Sequence, residues 1–106
     1  MTSITIVRIY IQEGDKIQGH NLLKEMFHTL HNEHKVQGVT VFRGIAGFGR
    51  KGEVHADDLL RVTARLPLVV EFFDTKERVT AVLPVLETMV PPGHMIWWSA
   101  ECNCPD

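Results

Sequence analysis

Positive charge is missing from the last quarter of this 106-residue sequence, where no lysine or arginine follows Arg78. The formal net charge is -2, so we do not expect the general nucleic-acid affinity that many cations give by neutralising phosphates. Long apolar runs are absent too, because the stretch at 4–11 is too short to cross a membrane and contains Arg8. No signal peptide is recognisable. These absences predict a cytoplasmic protein that binds no nucleic acid and is not inserted in a membrane.

Cysteine is scarce, with only Cys102 and Cys104 near the end of the chain. Two thiols with no neighbouring histidine cannot complete a tetrahedral metal site. A disulfide across one intervening residue would be strained. We therefore expect a reduced pair in a flexible tail of about six residues, with a metal hook or a regulatory redox pair as alternatives.

The apolar residues predict a single domain, residues 1–106. β-Branched and aromatic runs indicate strands, and apolar spacings of three and four indicate amphipathic helices. Strands are predicted over 2–11, from Gly38, over 66–73 and over 95–100, and helices over 19–35 and from Asp74 to Val90. The order β-α-β-β-α-β is that of the ferredoxin-like α+β fold, in which two helices cover one face of a four-stranded antiparallel sheet.

A few residues set the predicted element boundaries. Residues 13–15 end the first strand. The first part of residues 53–65 is predicted as loop, and Leu59, Leu60 and Val62 leave open a further strand that begins before Pro67. Asp74 caps the second helix, with Glu77 three residues later. Pro84 removes an N–H inside that helix, so we expect a kink there.

Both faces of the predicted strands are apolar. Ile4 and Ile6 alternate with Val7 and Ile9 in the first strand, and Val70 and Phe72 alternate with Val69 and Phe73 in the third. Two helices cover only one face, and apolar side chains left in water would forfeit about 1.5–3 kcal/mol each. A continuous apolar sheet face is also larger than monomers normally expose. We predict self-association in a closed ring, which places ligand clefts between subunits.

The chain is organised around residues 38–52, where a strand pattern runs into a glycine-spaced basic loop. Glycines free the backbone N–H groups to turn toward a ligand, and Arg43, Arg50 and Lys51 add positive charge. These features indicate an anion-receiving loop. The spacing matches neither the Walker loop nor Gly-x-Gly-x-x-Gly, and an ordinary exposed turn fits it equally well.

The string Val-Thr-Val-Phe-Arg-Gly-Ile-Ala-Gly-Phe-Gly at 39–49, followed by His55 and by Leu-Pro-Leu-Val-Val-Glu at 66–71, closely resembles the PII-like proteins of domain of unknown function 190. The resemblance covers roughly residues 4–100. Residues 38–50 are also similar, more loosely, to the PII signalling proteins, whose Gly-x-Thr-Val strand leads into Gly-Phe-Gly-Arg and a flexible T-loop.

The resemblance implies a homotrimer that binds small effectors, often adenine nucleotides, between subunits at the base of the T-loop. The loop then reports occupancy to a partner, frequently a membrane transporter. Carried over to this sequence, Gly38 and Thr40 would lie near a base. The phosphate side would be lined by Gly47, Phe48, Gly49 and Arg50, with Arg43, Lys51 and His55 completing the predicted ligand-binding set.

Three departures from the PII pattern bear on the ligand. The interval from Thr40 to Gly47 is one residue longer, residues 91–94 replace a glycine-rich phosphate loop, and the basic C-terminal segment has no counterpart. A triphosphate normally recruits several charge-assisted donors, and beyond Arg43, Arg50 and Lys51 this chain offers only Arg61 or Arg65. We therefore expect a smaller, reversibly bound anion, such as a nucleoside mono- or diphosphate or a second-messenger nucleotide, rather than ATP, and no tightly bound cofactor.

Two other protein classes share the predicted topology. Acylphosphatases need an arginine-bearing loop and an asparagine that orients water, whereas Asn21, Asn32 and Asn103 lie on the first predicted helix and in the tail. No nucleophile–base pair is recognisable, so we predict that the protein is not an enzyme. The second class is a structural or metal-binding trimer similar to the CutA proteins, which would not bind nucleotides.

Histidines at a spacing of three raise the question of a metal. His28, His31 and His34 lie along one stripe of the first predicted helix. The stripe avoids the apolar face, which favours a solvated polar surface, and we predict no metal site there.

Overall fold

The computed structural model describes residues 2–47 and 65–104. Its elements are β1 Thr2–Gln12, β2 Lys16–Ile17, β3 His20–Asn21, α1 Leu22–Phe27, a π-helical segment His28–Glu33, β4 Val39–Arg43, β5 Pro67–Asp74, α2 Lys76–Glu87 and β6 Met95–Cys102. The main sheet is antiparallel with strand order β4-β5-β1-β6. The predicted α+β fold with a four-stranded antiparallel sheet and two helices is confirmed. Within the described ranges, no helix is long and apolar enough to cross a membrane.

The core lies between the helices and one face of the sheet. Alternate residues of β1 and β5 point into it, which is why Val7, Ile9 and Val70 are fully buried. The helices meet them with Met26, Leu30, Val79, Val82 and Leu86. Burial at every second strand residue follows from the two-residue period of a strand.

The first helix begins later than predicted. Gly19 adopts a φ of 81°, which favours glycine, and the chain around it forms the β2–β3 hairpin instead of helix. Asn21 then caps α1, because its side chain accepts a hydrogen bond from the Lys24 N–H at 3.0 Å. The helix widens after Phe27, and the Thr29 carbonyl accepts from the His34 N–H, five residues on.

The second helix is capped by Thr75, not by Asp74. The Thr75 hydroxyl accepts a hydrogen bond from the Arg78 N–H at 3.3 Å. Asp74 is the last residue of β5, and its buried carboxylate accepts instead from the Thr75 N–H at 2.8 Å. The helix continues past Pro84 to Glu87, so the proline does not end it.

The predicted reduced, flexible tail is wrong for residues 101–104. β6 extends to Cys102, which pairs with Thr2 of β1. The Thr2 hydroxyl donates to the Cys104 carbonyl at 3.2 Å, and a disulfide joins Cys102 to Cys104. Their Cα atoms are 5.1 Å apart, within the usual range for a bridge. Pairing with β1 therefore positions two cysteines that the sequence alone placed in a free tail.

Candidate functional site

The sheet face turned away from the helices, called here the open face, is apolar at both ends. Its paired rows are Phe73, Ile6 and Trp98 at one end and Phe42, Val69 and Tyr10 at the other. Phe42 and Phe73 are 50% and 46% exposed. The two-sided apolar pattern of the sequence is thus present in the folded chain, and side chains of core type are left uncovered within it.

An ion pair lies at the centre of the open face. Arg8 and Glu71 are opposite each other on β1 and β5, and the Arg8 Nη2 is 2.6 Å from the Glu71 Oε1. The guanidinium carbon also lies 5.3 Å from the centre of the Trp98 ring, close enough for a cation–π contact. Hydrogen bonding to Glu71 raises the pKa of Arg8 above its usual range. The centre of the open face therefore carries two opposite charges that neutralise each other.

Four charged side chains meet near the end of β4, a few residues before position 48. We call Glu13, Asp15, Arg43 and Arg65 the loop-base cluster. The Arg43 Nε donates to the Glu13 carboxylate, and the Arg65 Nη2 donates to the Asp15 carboxylate. The Arg65 Nε also donates to the Glu13 carbonyl at 2.8 Å. The cluster has two positive and two negative groups, so its formal charge sums to zero.

Backbone contacts close the chain at the same place. The Gly44 N–H donates to the Pro67 carbonyl at 2.7 Å, and the Glu13 N–H donates to the Leu66 carbonyl at 2.9 Å. A Cβ built on Gly44 would lie 2.7 Å from the Pro67 Cγ, closer than real side chains approach. A side chain at position 44 would therefore force Pro67 to shift, and glycine allows the end of β4 to lie against the start of β5.

A cavity of about 430 Å³ lies at the opposite end of β4. It is lined by Phe27, His28, His31, Asn32, Val36, Gln37, Gly38 and Val39. Phe27 is exposed, so an aromatic ring faces solvent beside two imidazoles and two carboxamides. The cavity therefore offers a small molecule both an apolar surface and hydrogen-bonding side chains.

The histidines of this cavity contact neighbouring side chains. The His31 Nδ1 lies 2.7 Å from the Asn32 Oδ1, and the His28 Nδ1 lies 3.8 Å from the Glu33 Oε1. Across residues 2–47 and 65–104, no group of three or more His, Cys, Asp or Glu side chains is arranged to hold a metal ion.

The predicted site residues that the structure describes lie along β4 and its continuation. Gly38 lines the cavity, and Thr40 is exposed on the open face opposite Glu71. Arg43 belongs to the loop-base cluster, and Gly47 lies next to Pro67. The remaining predicted residues, Phe48, Gly49, Arg50, Lys51 and His55, lie outside the described residues.

Sequence reasoning missed the acidic half of the loop-base cluster. Residues 13–15 were recognised only as the end of the first strand. Arg43 is 30 residues from Glu13, and Arg65 is 50 residues from Asp15, so no local pattern links them. The antiparallel pairing of β1 with β5 and of β5 with β4 brings these residues together.

A second cavity, of about 310 Å³, lies where a glycine-rich phosphate loop would be in a PII protein. It is lined by Glu87, Val90, Pro91, Pro92, Gly93, Met95 and Trp97. Among the described residues, its lining includes a glutamate and no lysine or arginine, so none of these side chains gives a phosphate a cationic donor.

The chain matches the DUF190 family model, described as "Uncharacterized ACR", over residues 4–102. A UPF0166 protein of Methanocaldococcus jannaschii is 34% identical over 96 residues, which cover 91% of this chain and 87% of that protein. A UPF0166 protein of Aquifex aeolicus is 32% identical over 78 residues, which cover 74% of this chain and 73% of the relative.

One similar solved structure is that of CPII bound to ADP and bicarbonate, from Thiomonas intermedia K12. The TM-score is 0.62, and the match covers 98% of this chain and 92% of that one. Sequence identity is 13%, so the likeness concerns the fold alone.

Proposed function

Since the chain belongs to the DUF190 family, we propose that it is a PII-like signalling protein rather than an enzyme. It binds a small anionic effector reversibly, and the effector is an adenine nucleotide with one or two phosphates. The effector lies in clefts between the subunits of a cytoplasmic homotrimer. The T-loop that follows β4 signals occupancy to a partner protein, for which a membrane transporter is the leading candidate.

The observation that carries this proposal is the arrangement of sites along β4. Gly38 borders the cavity at one end, and Arg43 joins the loop-base cluster at the other. At the rise of a β-strand, the two positions are about 16 Å apart. An extended ligand with a ring at one end and phosphates at the other fits this arrangement. β4 pairs with β5 alone among the described strands, and we propose that its second edge contacts the effector or a second subunit.

The proposed preference for one or two phosphates follows from the ion pairs that Arg43 and Arg65 already form. Arg43 and Arg65 each have a carboxylate partner within the chain. An incoming phosphate group must compete with those carboxylates or depend on Arg50 and Lys51. Each additional phosphate needs further charge-assisted donors, which supports one or two phosphates rather than three.

The open face supports self-association. A second copy that brings its own apolar strands would cover Phe42, Phe73 and Trp98, and the Arg8–Glu71 pair is already satisfied when it becomes buried. Burial of such side chains contributes about 1.5–3 kcal/mol each. Three copies around one axis give a closed assembly with no face left uncovered.

Thermal unfolding with candidate ligands tests the proposal. AMP, ADP, ATP, cyclic nucleotides, bicarbonate and divalent metals are added singly to the purified protein. A ligand at a hundred times its dissociation constant stabilises the folded state by about 2.7 kcal/mol. We expect AMP or ADP to raise the melting temperature most. The Arg50→Ala variant should lose this increase. Lys76→Ala, a control that removes one exposed cation from α2, should retain it. We expect sedimentation to show both variants as trimers and the nucleotides to be recovered unchanged.

Two results would overturn the proposal. No shift with any nucleotide, or an Arg50→Ala variant that still binds, would make the loop a docking element for a partner protein. Stabilisation by divalent metals alone would favour the CutA-like alternative.

A further inference from the structure

We propose that Glu13 and Asp15 determine how many phosphates the effector site accepts, because they occupy Arg43 and Arg65 in the free protein. The inference rests on the proposed function and identifies a charge filter within that same site. The turn at residues 13–15 then has a second role besides ending β1.

The two carboxylates are held differently. In the described part of the chain, the Glu13 carboxylate has one ion-pair partner, Arg43, and 31% of its side chain is accessible. The Arg43 side chain is more exposed still. Exposed ion pairs are weak, so a phosphate dianion can displace Glu13 and take its place on Arg43.

Asp15 is fixed independently of its arginine. Its Oδ2 accepts from the Gln12 N–H at 2.9 Å while its Oδ1 accepts from Arg65. The Asp15 carbonyl accepts from the Leu22 N–H at 2.8 Å, which ties the turn to the start of α1. A phosphate that approaches Arg65 therefore meets a carboxylate that remains in position.

The two residues consequently act on different properties of the site. Glu13 competes for Arg43 with any phosphate, so it lowers the affinity for every phosphorylated ligand to a similar degree. Asp15 keeps Arg65 neutralised and repels each added negative charge, so it lowers the affinity for di- and triphosphates more than for monophosphates. A unit charge at roughly 4 Å in water changes affinity about fivefold.

Calorimetric titration with AMP, ADP, ATP and pyrophosphate tests these roles. We expect Glu13→Gln to bind all four ligands about fivefold more tightly. Asp15→Asn should bind ATP at least about fivefold more tightly relative to AMP than the wild type does. Asp15→Ser, which also retains an acceptor for the Gln12 N–H, gives a second test if the Asn variant fails to fold.

Controls separate charge from structure. Asp15→Glu keeps the negative charge and should keep the wild-type preference for fewer phosphates. Glu77→Gln removes one exposed carboxylate from the first turn of α2 and should leave every affinity unchanged. A purely structural role for the turn would lower the melting temperature of the Asp15 variants without changing the ratio of ATP to AMP affinity.

The outcomes distinguish this inference from the proposed function. If the wild type binds ADP and the Asp15 variants keep its ATP-to-AMP ratio, the charge filter is wrong and nucleotide binding stands. If only the Glu13 or Asp15 variants bind nucleotides, the filter stands, while the native protein is not a nucleotide sensor. If no variant binds any of the four ligands, both ideas fail.

Discussion

The two faces of the sheet are built from the same strands but have different environments. Phe72 and Phe73 are neighbours on β5; Phe72 is 2% exposed beneath the helices, and Phe73 is 46% exposed on the open face. Both are phenylalanines in the interior of a strand, so the difference lies in what covers them. The helix face is completed within one chain, whereas the open face leaves apolar rows exposed on both sides of the Arg8–Glu71 pair, which the proposed trimer would cover.

Truncating the covered phenylalanine should have the largest effect on folding. Phe72→Ala removes a ring buried against the helices and should destabilise the fold by about 3–5 kcal/mol. Chemical unfolding monitored by circular dichroism measures the change. A loss below about 1 kcal/mol would contradict the core described here, because deletion of a fully buried ring leaves a cavity.

Changing the exposed phenylalanine should act on assembly instead. Phe73→Glu places a charge where a second copy would have to bury it, which is costly for an unpaired carboxylate. We expect sedimentation at micromolar concentration to show a trimer for the wild type and monomers for Phe73→Glu, with native secondary structure retained. Thr80→Glu, on the exposed side of α2, is the matched control and should remain trimeric. A Phe73→Glu trimer would show that the open face is not the assembly surface.

The strands and the two faces of the sheet are predictable from the sequence, whereas the start of α1 is not. The alternation that makes Val70 and Phe72 core and Val69 and Phe73 open-face residues is local, so the strands and both faces could be read from the sequence. The start of α1 could not, because the positive φ values at Gln18 and Gly19 allow a hairpin where helical periodicity was expected.

The candidate site was harder to predict than the fold. The glycines and basic residues at 38–52 predict a ligand-binding loop, since glycine freedom and positive charge are local features of a sequence. The partners of the arginines could not be read this way, because Glu13 and Asp15 reach Arg43 and Arg65 only through the pairing of three strands. Charge balance in the loop-base cluster is thus a tertiary property that no local pattern in the sequence reveals.

The C-terminal residues should contribute least to either face. Thr2 follows the even-numbered register of the open face, and its hydroxyl donates to the Cys104 carbonyl, so these residues lie at the margin of that face. Truncation after Glu101 removes the disulfide, this hydrogen bond and the Thr2–Cys102 pair, but leaves the pairing of β6 with β1 over Met95–Glu101. One net hydrogen bond contributes about 0.5–1.5 kcal/mol, so we expect unfolding free energy to fall by about 1 kcal/mol and the trimer to persist.

Reduction of the full chain with a thiol should have a smaller effect than truncation, since the Thr2 contact does not require the disulfide. Loss of the trimer on truncation would mean that the apolar rows of the open face are insufficient for assembly and that the chain end belongs to the interface.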